Sequence, residues 1–224
     1  MPSPSDALLP TIEISTGDSP QLAIIWLHGL GADGHDFEPI VPELDLPFPA
    51  RFVFPHAPVR PITVNGGMEM RGWYDILGFG MNMRQDAAGI RVSAAAVTRL
   101  IDREIERGLQ ASQIVLAGFS QGGAIALHTA LREPRALGGV LALSTYLPLG
   151  DLLAAERSPA NGGIPIFMAH GSGDPLLPLA LAESARRTLE DLSYAVDWHV
   201  YPMQHSVCAE EITAIAAWLG QRVR

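Results

Sequence analysis

Two kinds of apolar segment alternate along the chain. The first is short and unbroken. Ala23-Ile24-Ile25-Trp26-Leu27 ends in a glycine-rich stretch, the run over 51–54 stops at Pro55, and Ile114-Val115-Leu116-Ala117 stops at Gly118. Val140-Leu141-Ala142-Leu143 and the run over 164–169 repeat the pattern. Runs of this length, apolar toward both faces and bounded by glycine or proline, predict buried strands of a parallel sheet. The stretch 196–201 alternates instead with period two, as a half-buried strand does. The second kind is long and amphipathic. Over 87–107, Ile90, Ala94, Val97, Ile101 and Ile105 recur every three or four positions, between Asp86 as N-cap and Gly108 just past the end. Residues 122–132, 178–192 and 208–222 predict three more helices, and 35–44 a short one broken by Pro39 and Pro42. Strand and helix in alternation predict one α/β domain over 1–224, doubly wound around a mostly parallel sheet, with 1–9 as a loose lead-in.

Composition narrows the chemistry. The 224 residues suffice for a real core without staples. All 15 basic residues are Arg, against 24 acidic ones, for a net charge of −9. Without lysine there is no Schiff base and no P-loop lysine. Without a basic cluster, nucleic acid is not an expected partner. The single Cys208 cannot form an internal disulfide. The N-terminus lacks the basic-then-apolar pattern of a signal peptide, and no run approaches the roughly 20 apolar residues of a membrane span. The expectation is a cytoplasmic protein without integral membrane contact.

In doubly wound sheets, ligand sites lie at the carboxyl ends of the strands. After the run at 114–117 comes Gly118-Phe119-Ser120-Gln121-Gly122, a Gly-x-Ser-x-Gly turn between strand and helix. Such a turn strains the serine backbone and presents its hydroxyl above the sheet edge. A serine nucleophile needs a base, and the base needs an orienting carboxylate, in the chain order Ser, acid, His. His128 lies two turns along the helix that starts at the elbow, His199 lies inside a strand, and His170 precedes the best acid. That leaves His205, in the loop after the last strand, as base. Asp174, in a glycine-rich loop past the strand at 164–169, is the acid. The oxyanion of acyl transfer needs two backbone N–H groups. Gln121, after the nucleophile, supplies one, and Leu30, in the first glycine-rich loop, is the candidate for the other. His28 is expected to hold that loop by hydrogen bonds. No His, Cys and Asp cluster has metal-ligand spacing, so no metal is expected.

Leu27-His28-Gly29-Leu30-Gly31-Ala32-Asp33, Asn65-Gly66-Gly67, Trp73-Tyr74-Asp75 and Ala117-Gly118-Phe119-Ser120-Gln121-Gly122-Gly123 resemble the phospholipase/carboxylesterase family of α/β-hydrolases. The resemblance runs from about residue 20 to the C-terminus. It implies a serine hydrolase of carboxylic esters or thioesters that uses no cofactor. It places nucleophile, acid and base on Ser120, Asp174 and His205, and the oxyanion positions on Leu30 and Gln121. Members include dimers, so a homodimer is an expectation. Two positions depart from the family: Gln204 stands where Gly is common before the histidine, and Leu177 where Val is common three residues after the acid. Segment 61–84 holds Met68, Met70, Met81 and Met83 with Trp73, Tyr74 and Phe79. It reads as a loop excursion flanking the site, its methionines suited to acyl chains of varied shape. Trp73 and Leu177 are the expected substrate contacts. The expected activity is hydrolysis of short- to medium-chain carboxylic esters. An acyl-protein thioesterase or lysophospholipase would use the same triad, and a silent hydrolase-like binding protein is the rival from outside enzymology.

Overall fold

A computed structural model describes residues 7–78 and 84–223. Phe79, Met81 and Met83 of the methionine-rich segment lie outside the described residues. The chain runs β1 (Thr11–Ser15), β2 (Leu22–Leu27), α1 (Ile40–Leu44), β3 (Ala50–Pro55), β4 (Val59–Ile62), β5 (Met68–Arg71), α2 (Ala87–Glu106), β6 (Ile114–Phe119) and α3 (Gln121–Ala130). It continues with β7 (Gly139–Leu143), α4 (Gly150–Glu156), β8 (Ile166–Gly171), α5 (Leu179–Asp191), β9 (Val196–Tyr201) and α6 (Ala209–Gly220). Seven strands form one sheet in the order β1-β3-β2-β6-β7-β8-β9. Every neighbouring pair in it is parallel except the edge pair β1–β3.

The unbroken apolar runs are explained by two cores, one on each face. Along β2 the side chains alternate: Ala23, Ile25 and Leu27 enter one core, and Leu22, Ile24 and Trp26 the other. β6, β7 and β8 split likewise. Leu116, Ala142 and Met168 join the first core, and Ala117, Leu143 and Ala169 the second. Helices α2, α3 and α5 cover the first face, through Ile90, Val97, Ile101, Ile125 and Leu189 among others. Helices α1 and α6 cover the second, through Ile40, Leu44, Ile215, Trp218 and Leu219. Each such side chain contributes roughly 1.5–3 kcal/mol by leaving water. Helix α2 is bounded as its sequence predicts: Asp86 Oδ1 accepts from the Gly89 N–H at 2.9 Å, and Gly108 has φ 101°.

Several boundaries differ from the pattern. The strand expected from 164 begins at Ile166, because Pro165 has no N–H; its carbonyl accepts from Val140. The short helix expected over 35–44 is turns followed by α1, with Pro42 in the first turn, where its missing N–H has no intrahelical partner to lose. Helix α3 stops at Ala130 rather than 132. Segment 61–84 is not wholly loop, since Ile62 and Met68 close a two-stranded antiparallel ribbon, β4–β5, around Asn65-Gly66-Gly67. Among the described residues no helix is long and apolar enough to cross a membrane.

Candidate active site

Ser120 stands between β6 and α3 with φ 55° and ψ −121°, strained for a residue with a side chain. The exit of β7 satisfies its backbone on both sides. The Ser120 N–H donates to the Leu143 carbonyl at 2.9 Å, and Thr145 Oγ1 donates to the Ser120 carbonyl at 2.6 Å. Glycines make the turn sterically possible. A Cβ on Gly118 would fall 2.4 Å from the Gly122 backbone, and one on Gly122 would fall 2.2 Å from the Leu27 carbonyl oxygen.

Asp174 and His205 come together from separate loops, with Asp174 Oδ2 2.6 Å from His205 Nδ1. The Leu176 and Leu177 N–H groups donate to Asp174 Oδ1, both at 2.9 Å. Burial pushes the Asp174 pKa up, but the Leu177 N–H, His205 and the Leu176 N–H outweigh it and hold the carboxyl below its ordinary range. An ionised carboxylate only accepts, so His205 Nδ1 carries the proton and Nε2 keeps a lone pair that can take one. The His205 ring lies 4.7 Å from that of Phe119, the neighbour of Ser120. The two loops pack too tightly for side chains at the contact. A Cβ on Gly171 would fall 2.3 Å from the Gln204 carbonyl oxygen. Gln204 is absent from the left-handed positions of the described backbone, so a residue with a side chain stands there without strain.

The first glycine-rich loop borders Ser120, for a Cβ on Gly29 would fall 3.5 Å from that of Ser120. His28 holds this loop, accepting from the Ala57 N–H at its Nε2, 3.0 Å away, with Nδ1 2.7 Å from the Gly29 carbonyl. Burial lowers its pKa to about 4, so it is neutral. Leu30 precedes Gly31, whose N–H donates to the Arg71 carbonyl of β5 at 2.8 Å. Gln121 is the first residue of α3, where a backbone N–H has no intrahelical acceptor. Its side chain, which sequence reasoning passed over, clamps the excursion: Oε1 accepts from the Trp73 N–H and Nε2 donates to the Tyr74 carbonyl, each at 2.8 Å.

Trp73, expected as a substrate contact, is fully buried, and its ring N–H donates to the His28 carbonyl at 2.9 Å. It is floor beneath the first loop rather than surface open to a ligand. Leu177 is half-buried on the acid loop, against the first core. His128 faces a cavity of about 290 Å³ with Arg91, Arg132 and Glu156, and Ser120, Asp174 and His205 do not line it. His199 pairs with Asp197 at 2.9 Å on β9. Among the described residues no group of three His, Cys, Asp or Glu side chains could hold a metal ion.

This strand order, with a strained serine at the end of β6 and a joined acid and histidine past β8 and β9, defines an α/β-hydrolase. The chain belongs to the phospholipase/carboxylesterase family, whose model matches residues 10–222. It is similar to acyl-protein thioesterase 1 of Neurospora crassa, with 41% identity over 215 residues, covering 89% of this chain and 86% of that protein. Acyl-protein thioesterase 1 of Mycosarcoma maydis is 36% identical, covering 95% of this chain and 97% of that protein. Among solved structures, Zea mays acyl-protein thioesterase 2 superposes with a TM-score of 0.86 at 25% identity, covering 96% of this chain and 99% of that one.

Proposed function

We propose that the protein is a serine hydrolase that cleaves acyl thioesters, with acylated protein thiols as its substrate class. The observation that carries the chemistry is the 2.6 Å Asp174–His205 contact beside the strained Ser120. The relatives' names favour the thioester over the short- to medium-chain carboxylic ester expected first. His205 Nε2 takes the Ser120 proton as the hydroxyl oxygen attacks the acyl carbon. The Leu30 and Gln121 N–H groups receive the oxyanion. The tetrahedral species collapses, the C–S bond breaks, and the thiolate leaves with the proton from His205. Water, deprotonated by His205, then frees the acyl group from Ser120.

The experiment pairs a thioester with the oxoester of the same acyl chain and adds a fluorophosphonate probe. The expected result is labelling at Ser120 and a higher kcat/KM on the thioester. Ser120→Ala should abolish labelling and lower kcat by roughly 10⁴-fold or more. Labelling with a preference for the oxoester restores the carboxylesterase reading. Folded protein that does not label removes the hydrolase reading.

A further inference from the structure

His170, at the C-terminal end of β8, is fully buried and has no part in the mechanism above. Its Nε2 lies 2.8 Å from the Leu177 carbonyl oxygen and 3.4 Å from Asp174 Oδ2. A carbonyl and a carboxylate both accept, so Nε2 carries the proton and this is the tautomer in place. Its Nδ1 is buried without a hydrogen-bond partner. A buried ring nitrogen left unpaired is destabilising, so a purely packing role would be better served by an apolar side chain.

The oxygen that His170 approaches is the one His205 uses. Asp174 Oδ1 is occupied by the Leu176 and Leu177 N–H groups, and Oδ2 lies 2.6 Å from His205 Nδ1 and 3.4 Å from His170 Nε2. Leu177 is also the residue whose carbonyl His170 holds. The N–H therefore holds the far end of the acid loop, while the carboxylate at its near end stands 3.4 Å away without a hydrogen bond of its own to the ring. We propose that His170 is a positioning residue for the acid–base pair: its Nε2–H donates to the Leu177 carbonyl and so fixes the loop 174–177, whose N–H groups orient the Asp174 carboxylate, and its ring faces the Oδ2 that His205 uses. This rests on the triad reading of Ser120, Asp174 and His205. Burial lowers the His170 pKa, against the pull of Leu177 and Asp174, so the ring works as a neutral donor.

The test uses the full chain with His170→Gln, which keeps an N–H near the place of Nε2, His170→Asn, which puts its amide nearer Nδ1, and His170→Leu, which removes both. Turnover is read with an aryl butyrate ester. In the Leu and Asn variants kcat should fall by about 10²-fold with KM little changed, and the Gln variant should keep most of it. The acid limb of the kcat/KM profile should move to higher pH in His170→Leu, because the carboxylate then favours the His205 imidazolium alone. A readout independent of turnover is the His205 Nδ1 proton in nitrogen-edited NMR. It should shift in His170→Leu and stay in place in His170→Gln. If His170→Leu does not fold, the Gln–Asn comparison decides. A fall in melting temperature with the pH limb and the proton signal unmoved overturns the proposal, as does a Gln variant that behaves like its Asn or Leu counterpart. If the parent protein neither turns over nor labels, the hydrolase reading fails, while the NMR comparison still tests His170.

Discussion

Ser120 shows how much of a site is held by groups that do no chemistry. A positive φ on a residue with a side chain costs on the order of 1–3 kcal/mol and persists only where its surroundings enforce it. Here the enforcement comes from the exit of β7, through the Leu143 carbonyl and Thr145 Oγ1. Thr145→Val keeps the shape and removes the donor. It should lower stability by about 1–2 kcal/mol in urea unfolding and slow acylation by roughly 10-fold, with KM little changed. Unchanged kinetics would mean that the elbow is held by its glycines and helix alone. The placement of Ser120, Asp174 and His205 past strand ends was legible in the sequence, as was the pairing of Asp174 with His205, because chain order leaves few alternatives. The sequence offered Gln121 only through its backbone N–H; its side-chain clamp depends on Trp73, 48 residues away. His170 was set aside for preceding the acid, a rule that sorts bases and is blind to a residue acting through a carbonyl seven positions on. Trp73 was misread for a related reason, since an aromatic residue in a loop excursion does not reveal whether it faces a ligand or the core.

At the scale of elements, the central strands were the most legible because burial on both faces leaves no room for polar residues. The ribbon β4–β5 was not. Pro61 removes a donor from one strand, and Met68-Glu69-Met70-Arg71 alternates without a β-branched residue. The edge strand β1 carries the opposite lesson, for Thr11-Ile12-Glu13-Ile14-Ser15 has a strand's period and was passed over beside the stronger runs. Its place is reinforced by charge. Glu104 of α2, fully buried, pairs with Arg51 of β3 at 2.7 Å and with Arg103 and Arg107 at 3.1 Å. The same two arginines, Arg103 of α2 and Arg107 just past its end, reach Glu13 of β1 at 2.9 and 2.7 Å. One carboxylate thus gathers three guanidinium groups at the junction of helix, edge strand and neighbour. Glu104→Gln should destabilise by about 2–4 kcal/mol, because it leaves partly buried arginines short of their counter-charge. The loss should be largest in hydrogen exchange of β1, which has a partner on one side only. A variant as stable as the parent would show that burial alone holds the edge.

For the whole molecule, the net charge of −9 says less about pH response than a few buried groups do. Burial lowers His28 and His128 from 6.5 to about 4, so the unfolded chain binds their protons first as pH falls. Each contributes stability that is present above 6.5 and is lost by about 1.4 kcal/mol per unit as pH drops toward 4. Glu211, fully buried at the start of α6 with neither oxygen hydrogen-bonded, is pushed by burial from 4.5 up to about 8, and the nearby Cys208 N–H offsets this only in part. The folded state now binds the extra proton, so stability falls as pH rises from 4.5 to 8, again by about 1.4 kcal/mol per unit. Between 4.5 and 6.5 the rising contributions of His28 and His128, joined in the same direction by His170, outweigh the falling one of Glu211, and above 6.5 only the falling one remains. The melting temperature should therefore peak near pH 6.5 and decline toward 8. Glu211→Gln removes the opposing slope. Its curve should be level from 6.5 to 8 and steeper than the parent's below 6.5, with the parent overtaken at neutral pH. A parent curve still climbing at pH 8 would mean that the Glu211 carboxylate ionises in the fold with a partner of its own.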